Sequence, residues 1–380
     1  MKKAYNESWI ENIEIQQIAK SWADKNLITI SQSEEIKNLF SESFYRPGIF
    51  VKIGLFLFTI LAGCFFSGFI SLLFLEGSGD KSFAVLSVLC AAIFFFALEY
   101  FIKERKLFHS GIDNALLYMA SVATIIPAFL IFENLKVWEY CFIILFINTL
   151  LTLRYADLLI ALISVIVTYV MFSSLAISFP LGKELLPFGI MILSAVIYFL
   201  NRRPLEIYYK ECQVVFKVVA LIGFYLGGNY YVVREGNALL ADLLSPIAPQ
   251  IPFAPLFYFF TAIIPLLYCF WGLKSHDRVL LIIGLLITAF SCFTYRYYFD
   301  FLSIELVLTL AGAILILLTV FCMRYFQTPK MGLTDEIHEK RNLANLEAIL
   351  VAHHLGQAPG ENNMEFGGGD FGGGGAGNDY

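Results

Sequence analysis

Charge is what this sequence has least of. Only 15% of its 380 residues are charged, where a soluble domain carries about a quarter. Signatures of chemistry are equally scarce. The five histidines, His109, His276, His338, His353 and His354, form no HExxH motif. His353 and His354 are neighbours, so on a helix they point to different sides and make a poor metal pair. There is no P-loop, no GxSxG elbow and no GxGxxG after a strand. None of the seven cysteines sits in CxxC, and six lie in apolar runs, so they read as packing residues with no disulfide framework. No charge falls at the centre of an apolar run: Glu99 and Asp157 fall at one set of ends, Glu139 and Glu305 near the other, and Lys217 lies where its stem can snorkel. Central charges are the usual mark of ion pathways and proton relays. These absences lead to the expectation of no enzyme, no catalytic residues, no metal and no cofactor. A membrane enzyme acting on lipid or glycan would have to use Glu99, Asp157 or the loop 234–255.

What the sequence does have is apolar length. Hydrophobic residues make up 58% of it, mean hydropathy is +0.72, and runs long enough to cross a bilayer recur from residue 49 to 323. The spans read as 49–75, 82–102, 113–132, 137–153, 158–179, 184–200, 214–233, 256–272, 279–293 and 303–323. The fold class is therefore all-α, a polytopic membrane helix bundle of about ten transmembrane helices. A β-barrel would need short alternating strands instead. The first residues, MKKAYNESWIENIE, have no apolar stretch behind them, so no cleavable signal peptide is expected and the first span targets the chain.

Lysine and arginine set the threading. With the N-terminus in the cytoplasm, the five outer loops carry one each, Lys81, Lys136, Lys183, Arg234 and Arg296, leaving 21 of the 26 inside. Such an alternating bias predicts both termini in the cytoplasm. It also bears on TLRYAD at 152–157, where Arg154 and Asp157 stand three apart between apolar runs. Residues 137–179 are too long for one span, so this segment must contain a turn. Arg154 reads as a charge anchor at the membrane face in preference to a buried ion pair with Asp157.

Two polar pieces flank the bundle. Residues 1–48 read as a cytoplasmic helical hairpin: Ile10, Ile13, Ile18 and Trp22 trace one face, and Ser31 with Glu34 forms a capping box that opens a second helix with Ile36, Leu39 and Phe40. Six basic and seven acidic side chains there argue against nucleic-acid binding. After the bundle (49–323), residues 324–355 predict a cytoplasmic helix stopped by Gly356. Residues 356–380 hold ten glycines and read as a disordered tail. The lipid bilayer is the expected partner, with a protein partner placed at the N-terminal hairpin or at the Gly-rich tail, where Phe366 and Phe371 are the candidate contacts.

The stretch IAKSWADKNLITISQSEEIKNLF, followed by the apolar run from Ile49, resembles a family of bacterial predicted membrane proteins with an N-terminal helical domain of unknown function. TYRYYFDFLSIELVLTLAGAILILL looks like the close of such proteins. Asn26 stands where such families often have glycine. The resemblance implies a bacterial cytoplasmic membrane and no particular activity. In gross layout, ten spans with short loops also resemble the drug/metabolite transporter superfamily.

The two halves, about 49–179 and 184–323, share short strings in the same order. YFIKE at 100–104 matches YVVRE at 231–235, ATIIP at 123–127 matches TAIIP at 261–265, and TLRY at 152–155 matches TYRY at 294–297. Either this is chance likeness among apolar segments or it is a duplication. Five helices per half would then make a 5+5 inverted repeat, a recurring transporter plan. Pro127 and Pro265 free the carbonyls of Ala123 and Thr261, which is either a pair of structural kinks or a binding site. In the second case Ala123, Thr124, Pro127, Asn148, Thr261 and Pro265 are the candidate substrate-binding residues, although a helix-to-helix hydrogen bond is the plainer role for Asn148. The function expected first is a transporter-like bundle for a small molecule or lipid. The alternative is a non-catalytic scaffold, sensor or accessory subunit.

Overall fold

The computed structural model describes residues 2–25, 27–74, 79–203, 206–240, 248–298 and 304–326. The expected helix at 324–355, apart from its first residues, and the Gly-rich tail lie outside the described residues. Among these residues the chain is all-α. In chain order the helices are α1 (Glu7–Asp24), α2 (Ile30–Leu39), α3 (Ile49–Phe74), α4 (Asp80–Glu104), α5 (Ile112–Ile131), α6 (Val137–Tyr155), α7 (Leu158–Ile177), α8 (Gly182–Leu200), α9 (Lys210–Gly228), α10 (Tyr230–Leu240), α11 (Ala254–Ser275), α12 (Arg278–Tyr298) and α13 (Ile304–Phe326). Among the described residues nine helices are long and apolar enough to cross a membrane. The tenth expected span falls on α13. Large side chains such as Phe58, Phe65, Leu72 and Phe96 stand outward and exposed. A surface this apolar belongs in lipid, so the chain is a polytopic membrane protein.

α1 and α2 pack on each other ahead of the first span. Asn6 caps α1, its side chain accepting from Ser8 N at 3.0 Å. The capping box of α2 is Thr29 with Gln32, not Ser31 with Glu34: Gln32 N donates to Thr29 Oγ1, and Thr29 N donates to Gln32 Oε1. Both pairs have the required spacing, and the earlier one brings two more residues into the helix. Of the face traced on α1, Ile13 is buried while Ile18 and Trp22 are exposed.

The spans pack as hairpins of sequence neighbours: α4 on α5, α6 on α7, α8 on α9 and α11 on α12. α3 leans on α5, and α7 joins the two groups by packing on α9. One core holds Leu98, Leu117, Ala120 and Ile160; a second holds Met191, Leu221, Tyr225 and Ile283. Small residues set the close crossings. A Cβ on Gly227 would lie 2.9 Å from the Pro187 carbonyl of α8, and one on Gly223 would lie 2.7 Å from the Tyr169 hydroxyl of α7.

The strings shared by the two halves do not all fall at matching places, since YFIKE closes α4 whereas YVVRE opens α10. TLRY closes α6, and TYRY lies in the last turn of α12. The twin of the α6–α7 turn is the α11–α12 turn. Ala156 and His276 both adopt a left-handed conformation, and Asp157 and Asp277 follow them as N-caps.

Candidate functional site

The six candidate substrate-binding residues fall in two separate places, Ala123, Thr124, Pro127 and Asn148 on α5 and α6, and Thr261 and Pro265 on α11. α5 packs on α3, α4 and α6, and α11 packs on α9, α10 and α12. The structure therefore does not bring Thr124 and Thr261 together. The carbonyl of Ala123, freed by Pro127, accepts from Ser87 Oγ of α4 at 2.7 Å. The carbonyl of Thr261, freed by Pro265, accepts from Ser291 Oγ of α12 at 2.6 Å. Each break is closed by a serine of the hairpin partner, which meets the requirement that backbone groups at membrane depth be satisfied. Thr124 Oγ1 donates to Ala120 O within its own helix. Thr261 Oγ1 donates to Phe257 O and accepts from Tyr230 N, fixing the entry to α10. Asn148 is buried and joins α6 to α5, its Oδ1 accepting from Ser121 Oγ at 3.0 Å.

A denser polar centre lies where α5 and α7 begin, and sequence reasoning missed most of it. Asp113 is 1% exposed and accepts from Tyr5 OH, His109 N, Ser110 N and Ser110 Oγ, all at 2.8–2.9 Å. Asp157 is 2% exposed and accepts from Asn114 Nδ2 at 2.7 Å, Tyr118 OH at 3.1 Å and the amides of Leu159 and Ile160. Two buried carboxylates at the starts of α5 and α7 are the first place to look for a cation site. Each, however, already accepts four hydrogen bonds, which fills both oxygens. Asp157 caps α7, and Asp113 ties the loop before α5 and the N-terminal segment to the helix start. Asn114 Oδ1 is buried with no hydrogen-bond partner among the described residues. No group of three histidine, cysteine or acidic side chains able to hold a metal occurs among the described residues. A sequence signal for Asp113 did exist: Ser110-Gly-Ile-Asp113 is an S-x-x-D cap directly before an apolar run.

The N-terminal segment is threaded into this centre. Tyr5 is buried against Phe44, Phe108 and His109 and reaches Asp113. Ala4 N donates to the carbonyl of Arg154 at 2.9 Å, and Tyr209 OH donates to that of Leu153 at 2.7 Å, so the open C-terminal carbonyls of α6 are capped from outside the helix. Lys3 bridges Glu7 and Glu206. The α4–α5 loop is held against the α2–α3 linker by the bridge between Tyr45 and Leu107. Gly111, with φ +102°, is required there, because a Cβ would lie 2.2 Å from the Lys52 carbonyl. Burial, and then the adjacent Asp113 carboxylate, hold the Tyr5 phenol well above its ordinary range. Burial alone would lower the Lys3 ammonium, but its hydrogen bonds to Glu206 and Glu7 outweigh that and hold it above its ordinary range.

Beside this segment lies a cavity of about 470 Å³ at the ends of α4 and α6. Lys2, Lys3, Lys103, Lys106 and Arg154 line it, with Glu99 as the single acidic side chain. Arg154 donates through Nε and Nη2 to Glu99 Oε1, at 2.9 and 2.6 Å, and Tyr155 OH reaches the same oxygen at 2.7 Å. The two residues of TLRYAD thus separate: Arg154 faces the cavity and Asp157 the buried centre. No family model, curated protein or solved structure matches the chain.

Proposed function

We propose that the chain is a non-catalytic component of a bacterial cytoplasmic membrane, a sensor or accessory subunit that couples the basic end of its bundle to a soluble protein partner through α1 and α2. One observation carries this reading. The segment before α1 is locked into the bundle by Tyr5–Asp113 and Ala4–Arg154, while Ile18, Trp22, Leu39 and Phe40 remain exposed on the hairpin. An apolar surface on a polar appendage suits a partner protein. The transporter-like reading has less support, because the freed carbonyls of α5 and α11 are closed internally and the two helices belong to different groups.

A photo-crosslinker at residue 22 or 39 in cells is expected to trap one adduct of defined mass. No adduct, together with thermal stabilisation of the pure protein by a small solute, would return the reading to a transporter. The same proposal places both termini in the cytoplasm, from the 21 of 26 basic residues assigned to that side. Reporter fusions after Tyr380 and within 234–255 are expected on opposite sides of the membrane.

A further inference from the structure

We propose that the basic cavity at the ends of α4 and α6 is a binding site for a phosphate-bearing anion, of the kind a phospholipid headgroup presents. This rests on the reading of that end as the responsive face of the bundle, and it names what that face responds to.

The charge accounting comes first. Five cationic side chains line the cavity against one carboxylate. Glu99 is already committed, since it receives Arg154 and Tyr155 on one oxygen and has Lys103 3.4 Å from the other. Lys3 is neutralised by Glu7 and Glu206. Lys2 and Lys106 have no carboxylate within ion-pair distance among the described residues, and Lys103 is 66% exposed. With Glu7 and Glu206 counted beside Glu99, the five cations face three carboxylates, so the cavity and its rim carry a net charge of +2, with Lys2 and Lys106 unpaired among the described residues. Their mutual repulsion is relieved when an anion enters, and the gain is largest where low-dielectric walls limit screening.

The spread of the ammonium groups and the volume of the site favour phosphate over a lone carboxylate. Lysine binds phosphate as a mobile point charge, and the several oxygens of one phosphate can span several ammonium groups. A volume of about 470 Å³ is in the range of small-molecule sites, large enough for a headgroup but not for acyl chains. Part of the lining, Glu99, Ile102, Lys103 and Arg154, comes from the last turns of two spans, the level at which headgroups lie. Trp9 and Phe44 form an aromatic wall, and Lys106 stands over the Trp9 ring at 5.2 Å. Amphipathic aromatic rings collect at the same level.

The test uses the full chain and the double variant K103Q/K106Q, whose side chains are exposed and whose loss is not expected to unfold the bundle. K20Q/K37Q, two exposed lysines of the N-terminal hairpin, is the control. In one arm the protein is reconstituted with mixed phosphatidylglycerol and phosphatidylcholine, and retained lipid is counted by native mass spectrometry. In the other arm the protein, in a neutral detergent, is melted with and without inorganic phosphate at constant ionic strength. For a lipid headgroup, wild type retains phosphatidylglycerol, and K103Q/K106Q weakens that retention roughly tenfold or more. For a soluble anion, phosphate raises the melting temperature of wild type and not of the variant. Either result supports the site and identifies its source. No effect in both arms, or an equal loss in K20Q/K37Q, overturns it. Binding is read on the isolated protein, so its failure leaves the cross-linking result at residue 22 standing as a separate question.

Discussion

Arg154 pairs with Glu99 on the neighbouring helix, 2.6 Å away, and not with Asp157 three residues further along its own chain. The α6–α7 turn explains this. Ala156 is left-handed, which ends α6 and turns Asp157 inward as the cap of α7. The chain reversal aims the two charges at different neighbours.

That pair gives the first prediction. Glu99 and Arg154 are both partly buried and share charged hydrogen bonds, an interaction worth about 1.5–3 kcal/mol. E99Q and R154Q are each expected to lower the thermal midpoint in detergent. The double variant is expected to lose less than the sum of the two, because each single change strands the other partner. Strict additivity would show that the pair is not coupled.

The small residues of α9 give the second. A Cβ at Gly227 meets backbone, the Pro187 carbonyl at 2.9 Å, which cannot rotate away. G227A is expected to destabilise by about 1–3 kcal/mol, and G227L by more. Gly54 on α3 has nothing within 4 Å of an added Cβ, so G54A is expected to be neutral or stabilising. Equal melting temperatures for G227L and wild type would count against a packed interface between α8 and α9.

The two proline breaks give a third. S87A leaves the Ala123 carbonyl without its donor, and S291A does the same to Thr261 while also removing one of the two partners of the Tyr225 hydroxyl, the other being Asn229. Each is expected to cost about 1–3 kcal/mol, with S291A the more damaging. A wild-type melt for both variants would mean that another group meets these carbonyls.

Docking of the N-terminal segment has a defined pH dependence. Tyr5 and Lys3 both have values raised above those of the unfolded chain. Their contributions are therefore fully present below the unfolded values, about 10 for both side chains, and are lost as pH rises through the folded values. Mass-tag accessibility of a cysteine placed at position 4 is expected to stay low from about pH 6 to 9 and to rise only above about pH 10. Y5F is expected to raise it at neutral pH, since Asp113 then loses one of its four donors. Exposure beginning near pH 7 would point to a different titrating group.

The paired turns allow an internal comparison. Asp157 and Asp277 cap α7 and α12 through the same amide contacts. D277A is expected to cost about 0.5–2 kcal/mol as a lost cap. D157A is expected to cost more, because Asn114 and Tyr118 also lose their acceptor. Equal costs would show that the buried centre adds nothing to the cap.

The sequence by itself determined the class of this protein and the position of its spans. Apolar run length is a local property, and bilayer thickness turns it directly into helices, so α3 to α9 and α11 to α13 lie close to where the hydropathy placed them. Turns were readable for the same reason: Asp157 and Arg154 sit where two long runs had to reverse. Partners were not readable. Nothing near Arg154 in the chain points to Glu99, 55 residues earlier, or near Tyr5 to Asp113, 108 residues later. Inside a membrane the apolar faces of all helices look alike, so which helices pair is decided by small residues and single polar contacts, such as Gly227 on α8, Ser87 on Ala123 and Ser291 on Thr261. Those contacts exist only once the chain has packed. They placed the two proline helices in different groups and gathered five cations from the N-terminal segment, the α4 end and its following loop, and the end of α6 around one cavity.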